Sequence, residues 1–210
     1  PQHVLVVLAH PDDELPMAPA LAALARQGAR VQIAYATQGD AGPGVSANQP
    51  GEALGKLRLS EATCAGDALG AASVVSFNRG DGRLGVDAHR QGSAAQALQG
   101  DLASLVPGHD LVLTWGPDGG YGHADHRMVS ALTTQIVQAM PAAERPKLLY
   151  VGIPAGRLPP VPQMAEWAVT DAALLTERIG YTPADLAAAT AAAQCHVTQF
   201  DAATRTGMMG

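Results

Sequence analysis

Charge is scarce in this chain: only 15% of its 210 residues are Asp, Glu, Lys or Arg, against 47% hydrophobic. That balance excludes a disordered segment and points to a packed core. Basic residues are the scarcest, with 13 Lys and Arg against 19 Asp and Glu, for a net charge of −6, and they form no run. Nucleic acid binding through phosphate neutralisation is therefore not expected, nor is docking on an anionic membrane surface. No apolar stretch reaches the ~18 residues of a membrane span, so no transmembrane segment is expected. No basic n-region with an apolar h-region opens the sequence, so a cytoplasmic location is expected, with export after removal of a leader as the alternative. Cysteine is limited to Cys64 and Cys195. They make neither a CxxC pair nor a zinc framework, and they read as two buried free thiols because a core of this size needs no staple. One disulfide in an exported protein is the alternative. Aromatics amount to 4%, with two Trp and two Phe, which leaves no evident stacking platform for a long glycan.

What is present is an alternation. Apolar runs at 4–8, 30–37, 73–77, 110–115 and 147–153 read as strands. Between them, 17–27, 56–69, 89–105 and 127–140 read as helices, the first two stopped by Gly28 and Gly70 and the last by Pro141. Strand and helix alternating in this way predict an α/β fold: a Rossmann-like sandwich, its mostly parallel central sheet covered by helices on both faces. Near-continuous Val, Leu and Ile in the strands fits burial on both sides. The Gly- and Pro-rich stretch 39–55 is too long for a plain connection and reads as functional. After residue 153 the pattern changes. Four prolines fall within 154–162, 166–170 reads as an edge strand, and 182–199 as an Ala-rich helix opened by Thr182-Pro183. No linker stands out, so residues 1–210 read as one domain with 154–210 as a C-terminal appendage packed on it.

Two polar clusters follow apolar strands. Ala9-His10-Pro11-Asp12-Asp13-Glu14 follows the first, and Gly122-His123-Ala124-Asp125-His126 lies beyond the fourth. Open α/β sheets bind ligands just past the carboxyl ends of their strands. A catalytic zinc takes three ligands from His, Asp, Glu or Cys and leaves a position for water, and a hydrolase also needs a base and an oxyanion partner. His10, one aspartate and His126 supply three ligands, and the other aspartate is free to be the base. Spacing alone does not divide Asp12 and Asp13 between those roles. His123 is left to face substrate, with Asp125 placed to fix a ring tautomer. Taken singly, each cluster also reads as a turn or helix cap. Both following apolar strands favours one shared site. His and Asp ligands also suit Fe2+, Mn2+ or Co2+. No GxGxxG follows the first strand, which argues against a dinucleotide.

These residues resemble the LmbE-like, or PIG-L, family of zinc-dependent de-N-acetylases. The block at 9–14 is similar to the family's AHPDDE signature, and the one at 122–126 to its GHxDH signature. The likeness extends to Thr37-Gln38-Gly39-Asp40-Ala41-Gly42, to Arg58-x-x-Glu61, to Asp81-Gly82 and to His196-Val197-Thr198-Gln199. It implies an LmbE-like deacetylase fold and removal of an N-acetyl group from an N-acetylglucosamine-type sugar or glycoconjugate, with acetate released. It implies Zn2+ on His10, Asp13 and His126, and Asp12 as general base. His123 would stabilise the oxyanion and protonate the leaving amine, oriented by Asp125. Tyr121 would approach the substrate carbonyl, and Arg58, Asp81 and Asp40 would contact substrate. Family members are often oligomeric, so a homo-oligomer fits. Rival readings are a different metal hydrolase and a non-catalytic carbohydrate-binding module on the same fold.

The weaker assignments have plain structural counterparts. Arg58 and Glu61, three apart on a helix, read equally as a surface ion pair. Asp81-Gly82 is a common turn, and Tyr121 reads also as packing over the glycines beside it. His196 reads as a satisfied structural histidine, and His3, His89 and His109 as surface residues. The substrate itself is not spelled out. Loops 39–55 and 152–162 are expected to decide it.

Overall fold

The computed structural model describes residues 1–158, 160 and 162–209. Five strands form one sheet: β1 (His3–Leu8), β2 (Arg30–Tyr35), β3 (Ser73–Ser76), β4 (Leu111–Trp115) and β5 (Lys147–Val151). Their order is β3-β2-β1-β4-β5, and every neighbouring pair is parallel. The direction of winding reverses at β1, whose neighbours are β2 on one side and β4 on the other. A crevice opens at such a reversal, beyond the carboxyl ends of the two strands.

Alternation along β1 sorts the core. Val4, Val6 and Leu8 face α1 (Ala18–Arg26), α2 (Glu52–Ala68) and α5 (Pro183–Cys195), while Leu5 and Val7 face α3 (Ala94–Leu105) and α4 (Ala124–Ala139). Successive strand side chains point to opposite faces, so one apolar strand feeds both layers. On α5 the buried Ala189, Ala192 and Ala193 share a face at helical spacing, and their small side chains let the helix approach α1 and α2 closely. A short helix, α6 (Ala202–Gly207), closes the described chain.

Several boundaries differ from the sequence reading, each for a local reason. The helix expected over 89–105 starts only at Ala94, because Gly92 takes φ 77° and the Ser93 hydroxyl caps the helix by accepting from Gln96 N–H. The helix expected from 127 starts three residues earlier, capped by the His123 ring, which places His126 in its first turn. The helix expected over 182–199 keeps its Thr182 capping box but ends at Cys195, where His196 leaves helical geometry with ψ 62°. The edge strand expected over 166–170 is a single bridge between Pro154 and Thr170. Within the proline-rich stretch, Pro159 and Val161 lie outside the described residues.

The free-thiol reading is overturned: Cys64 and Cys195 form a disulfide, with their Cα atoms 5.9 Å apart and 131 residues between them in sequence. The packing of α2 against α5 brings them together, and Cys64 lies at the surface instead of in the core. Nothing in their sequence spacing signals that packing.

Candidate active site

The turn after β1 is built by its own carboxylates. Asp13 Oδ2 accepts the N–H groups of Ala9 and His10, at 3.0 and 2.9 Å, which folds the chain back on the strand end. Its other oxygen, Oδ1, lies 3.1 Å from His126 Nε2. Between them Asp12 takes φ 102°, a left-handed conformation costly for any residue with a Cβ. Arg58 clamps it: Nη2 donates to Pro11 O at 2.9 Å and to Asp12 Oδ2 at 3.0 Å, and Nη1 donates to Gly39 O at 2.8 Å. Only glycine fits at 39, where φ is +64° and a Cβ would sit 2.2 Å from Arg58 Nη1.

The second cluster comes from the β4–α4 connection. Trp115, at the end of β4, stacks on the His126 ring with centroids 4.6 Å apart and planes 7° apart. Gly120 packs against the same indole, and a Cβ there would approach it to 2.9 Å. His126 Nδ1 lies 3.1 Å from Gly119 O.

These contacts settle which nitrogens carry protons in the neutral rings. A carbonyl only accepts, so His126 holds its proton on Nδ1 and its free lone pair on Nε2. His10 Nε2 lies 3.0 Å from Asp81 Oδ1 and 3.3 Å from Asp125 Oδ2, so its proton is on that side and the lone pair is on Nδ1. Those two lone pairs face one another across 3.2 Å, with Asp13 Oδ1 3.1 Å from His126 Nε2 and Asp13 Oδ2 3.7 Å from His10 Nδ1. Three acceptors converging in this way call for a cation. Ligands at ordinary Zn–N and Zn–O distances in a tetrahedral site stand about 3.3 Å apart, close to the 3.2 Å between the two ring nitrogens and the 3.1 Å from His126 Nε2 to Asp13 Oδ1. The donor set therefore fits a divalent metal. His10, Asp81 and Asp125 also cluster, as do His10, His123 and His126. Asp81 and Asp125, however, occupy the protonated side of His10, as carboxylates behind a ligating histidine do.

Asp125 is buried, and its carboxylate accepts from the N–H groups of Gly82 and Leu84, at 2.7 and 3.1 Å, as well as meeting His10. Its link to His123 runs through the backbone: Asp125 N–H donates to His123 Nδ1 at 3.2 Å. That leaves the His123 proton on Nε2. Asp81 Oδ2 accepts from Ala41 N–H at 3.1 Å, and Asp40 Oδ1 accepts from Asp81 N–H at 3.3 Å, so Asp40 supports the Asp81 turn. Tyr121 is half exposed, edge-on to both His123 and His126, and it pairs with Trp167 at a centroid distance of 5.3 Å. Ala168 N–H donates to Gly120 O, which ties that later segment to the site.

Electrostatics separate the two adjacent aspartates. Burial pushes the Asp12 carboxyl up to about 7, against the pull of Arg58. Burial acts on Asp13 as well, but His126 and His10 outweigh it and hold Asp13 well below the usual carboxylate range. Burial lowers His10, yet Asp125, Asp13 and Asp81 together raise it well above its ordinary value in the metal-free protein. Burial lowers His123, helped by the neighbouring His10 and His126. Burial pushes the Tyr121 phenol up to about 12, so it keeps its proton.

Arg58 and Glu61 are not a surface pair. Both are buried, and Glu61 accepts from Thr198 N–H and Oγ1 at 3.0 and 2.7 Å. His196 is fully buried against Glu14, with 2.5 Å between Nε2 and Oε1. His3 and His89 are exposed, and His109 binds Val106 O, away from the site. The sequence reading missed Glu14, Tyr35, Trp115 and Trp167. Glu14 stood inside a quoted motif without a role. The others lack a local signal, because strand ends and a distant loop deliver them.

A parallel α/β sheet with a His/Asp cluster at its winding reversal defines the class, an open-sheet protein with a metal-fitting site beyond β1 and β4. The sequence model of the GlcNAc-PI de-N-acetylase (PIG-L) family matches residues 5–137. The chain belongs to that family. It is 35% identical over 172 residues to the 1D-myo-inositol 2-acetamido-2-deoxy-alpha-D-glucopyranoside deacetylase of Nakamurella multipartita, covering 70% of this chain and 57% of that protein. The Rhodococcus jostii protein of the same description is 32% identical, over 69% of this chain and 56% of its own length. The chain thus spans little more than half the length of these relatives. Among solved structures, the N,N'-diacetylchitobiose deacetylase of Pyrococcus horikoshii superposes with a TM-score of 0.66 at 19% identity, covering 96% of this chain and 72% of that one. The 4-carboxy-2-hydroxymuconate hydratase of Pseudomonas putida gives 0.65 at 20% identity, covering 100% and 83%. The fold alone therefore carries more than one chemistry.

Proposed function

We propose that this chain is a zinc-dependent amide hydrolase that removes the N-acetyl group from an N-acetylglucosamine-type sugar or conjugate. The observation that carries the reading is the pair of imidazole lone pairs fixed toward Asp13, with a second carboxylate, Asp12, poised beside them. His10, Asp13 and His126 would hold the zinc, which when bound supplies an acidified water and a Lewis acid for the acyl oxygen. The names of the relatives, which describe removal of an acetyl group from an amino sugar, favour the acetamide as the bond cleaved.

The protein groups then divide the remaining work. Asp12 takes a proton from water as the oxygen adds to the acyl carbon. His123 donates from Nε2 to the developing oxyanion, and Tyr121, still protonated, donates beside it. Collapse breaks the C–N bond, and the departing nitrogen needs a proton. His123 Nδ1 is occupied as an acceptor, which favours a neutral ring that stays an oxyanion donor. We therefore give that proton to Asp12, which holds the one taken from water and whose burial favours its taking up a proton. Acetate and a free amine result. Both terminal nitrogens of Arg58 are committed, to Asp12 and to the carbonyls of Pro11 and Gly39, and Asp81 is committed to His10 and Ala41 N–H, so we assign them positioning roles in place of sugar contacts. No helix among the described residues is long and apolar enough to cross a membrane. The Cys64–Cys195 bridge favours an oxidising compartment over the cytoplasm.

The test is acetate release from N-acetylglucosamine conjugates, with zinc measured by elemental analysis. Asp12→Asn is expected to bind zinc as wild type does and to lose about 10²–10⁴-fold in kcat. Full turnover by that variant would remove Asp12 from the mechanism.

A further inference from the structure

We propose that Glu14 and His196 are positioning residues that hold Asp12 in its left-handed conformation, an inference that rests on Asp12 being the base. Asp12 has φ 102°, a backbone conformation that is strained for an L-residue. Such a conformation persists only where its surroundings over-determine it. Arg58 secures the carboxylate end. The backbone end is secured by Glu14, whose Oε2 accepts the Asp12 N–H at 3.0 Å.

Glu14 is itself locked. The same Oε2 accepts from Tyr35 Oη at 2.6 Å, and Oε1 meets His196 Nε2 at 2.5 Å. Glu14, Tyr35 and His196 are all completely buried. Its three partners are all donors: a backbone N–H, a phenol and an imidazole N–H. Only a carboxylate offers acceptors at both ends; an amide in its place faces a donor unless His196 moves its proton to the buried Nδ1, which has no partner among the described residues. Buried ion pairs are poor stabilisers, and apolar replacements are often as stable. The feature that this pair secures is the Asp12 peptide.

His196 reaches this position from far away. It lies 182 residues from Glu14 in sequence and outside the 5–137 stretch that carries the family match. It directly follows α5 and is held on both sides, by the Cys64–Cys195 bridge and by Thr198 on Glu61. The stretch that follows α5 is therefore part of the site's machinery through this imidazole, which bonds Glu14 and not a proposed metal ligand. If Asp12 relaxed to negative φ, its N–H would leave Glu14 and its carboxylate would turn relative to Asp13 and His10.

The experiment compares Glu14→Gln, His196→Ala and His196→Gln in the zinc-loaded full chain. Glu14→Gln and His196→Ala should retain zinc and keep KM within about twofold, while kcat falls about 10–100-fold, the scale of a small misplacement of a reacting group. His196→Gln, which restores an N–H donor toward Glu14, should recover most of the loss. In an Asp12→Asn background, Glu14→Gln should cost nothing further, because the two act as one unit. An equal loss in that background would overturn the proposal. A crystal structure of Glu14→Gln gives a readout that needs no activity: Asp12 should leave positive φ, and an unchanged Asp12 would refute the positioning role. If wild type releases no acetate, the deacetylase reading fails, and that structure still decides the claim about Asp12.

Discussion

Asp12 and Asp13 are neighbours in sequence with opposite electrostatic fates. Asp13 faces two imidazoles and stays ionised, while Asp12 is buried beside one guanidinium and is pushed up to about 7. That contrast yields a prediction about Arg58. Burial raises Asp12 and the Arg58 charge lowers it, so removing the charge moves the carboxyl further up. The base works deprotonated, so activity grows as pH rises through its pKa. Arg58→Gln should shift the acid limb of the kcat profile to higher pH by about one unit, read from the midpoint whatever the amplitude. A limb that stays in place would show that Arg58 does not tune Asp12. At this scale the sequence was informative where chemistry sits at a strand end. His10 and His126 stood out because their clusters follow apolar strands, whereas the choice of Asp13 over Asp12 came only from the family resemblance. Glu14 could not be given a role, because its partners Tyr35 and His196 come from β2 and from beyond α5.

Among the elements, α5 matters most and was the least legible. Its Ala-rich face gave the helix but not its neighbours, and its ties are long-range. One is the bridge to α2. Replacing both cysteines by serine should cost about 2–4 kcal/mol in urea unfolding, and reductant should lower wild type by a similar amount. Equal midpoints for the two proteins would mean that packing alone holds α5. A second tie is Asp185, which completes the Thr182 capping box and bonds Arg26 through both oxygens, at 2.8 and 3.0 Å. Arg26 and Thr182 outweigh burial and hold Asp185 well below its ordinary value of 3.8. A lowered folded pKa means stabilisation that is present above about pH 4 and lost as pH falls through the folded value. Asp185→Ala should therefore be less stable than wild type at pH 7 and should lose less stability on acidification below pH 4. Parallel losses for both proteins would contradict this.

For the whole molecule, the sheet order is the decisive fact. Periodicity announced the strands, and their near-continuous apolar character announced a parallel sheet buried on both faces. Adjacency of β1 and β4 was what the shared-site reading required, and the β3-β2-β1-β4-β5 order supplies it. Within that frame His10 is pinned from behind by Asp81 and Asp125, and the lone pair on its front faces Asp13 and His126. The most direct test of this arrangement is anomalous diffraction at the zinc edge from crystals grown with zinc. We expect one peak among His10 Nδ1, Asp13 and His126 Nε2. A peak on the opposite side, among His10 Nε2, Asp81 and Asp125, or no peak near His10, would contradict the assignment.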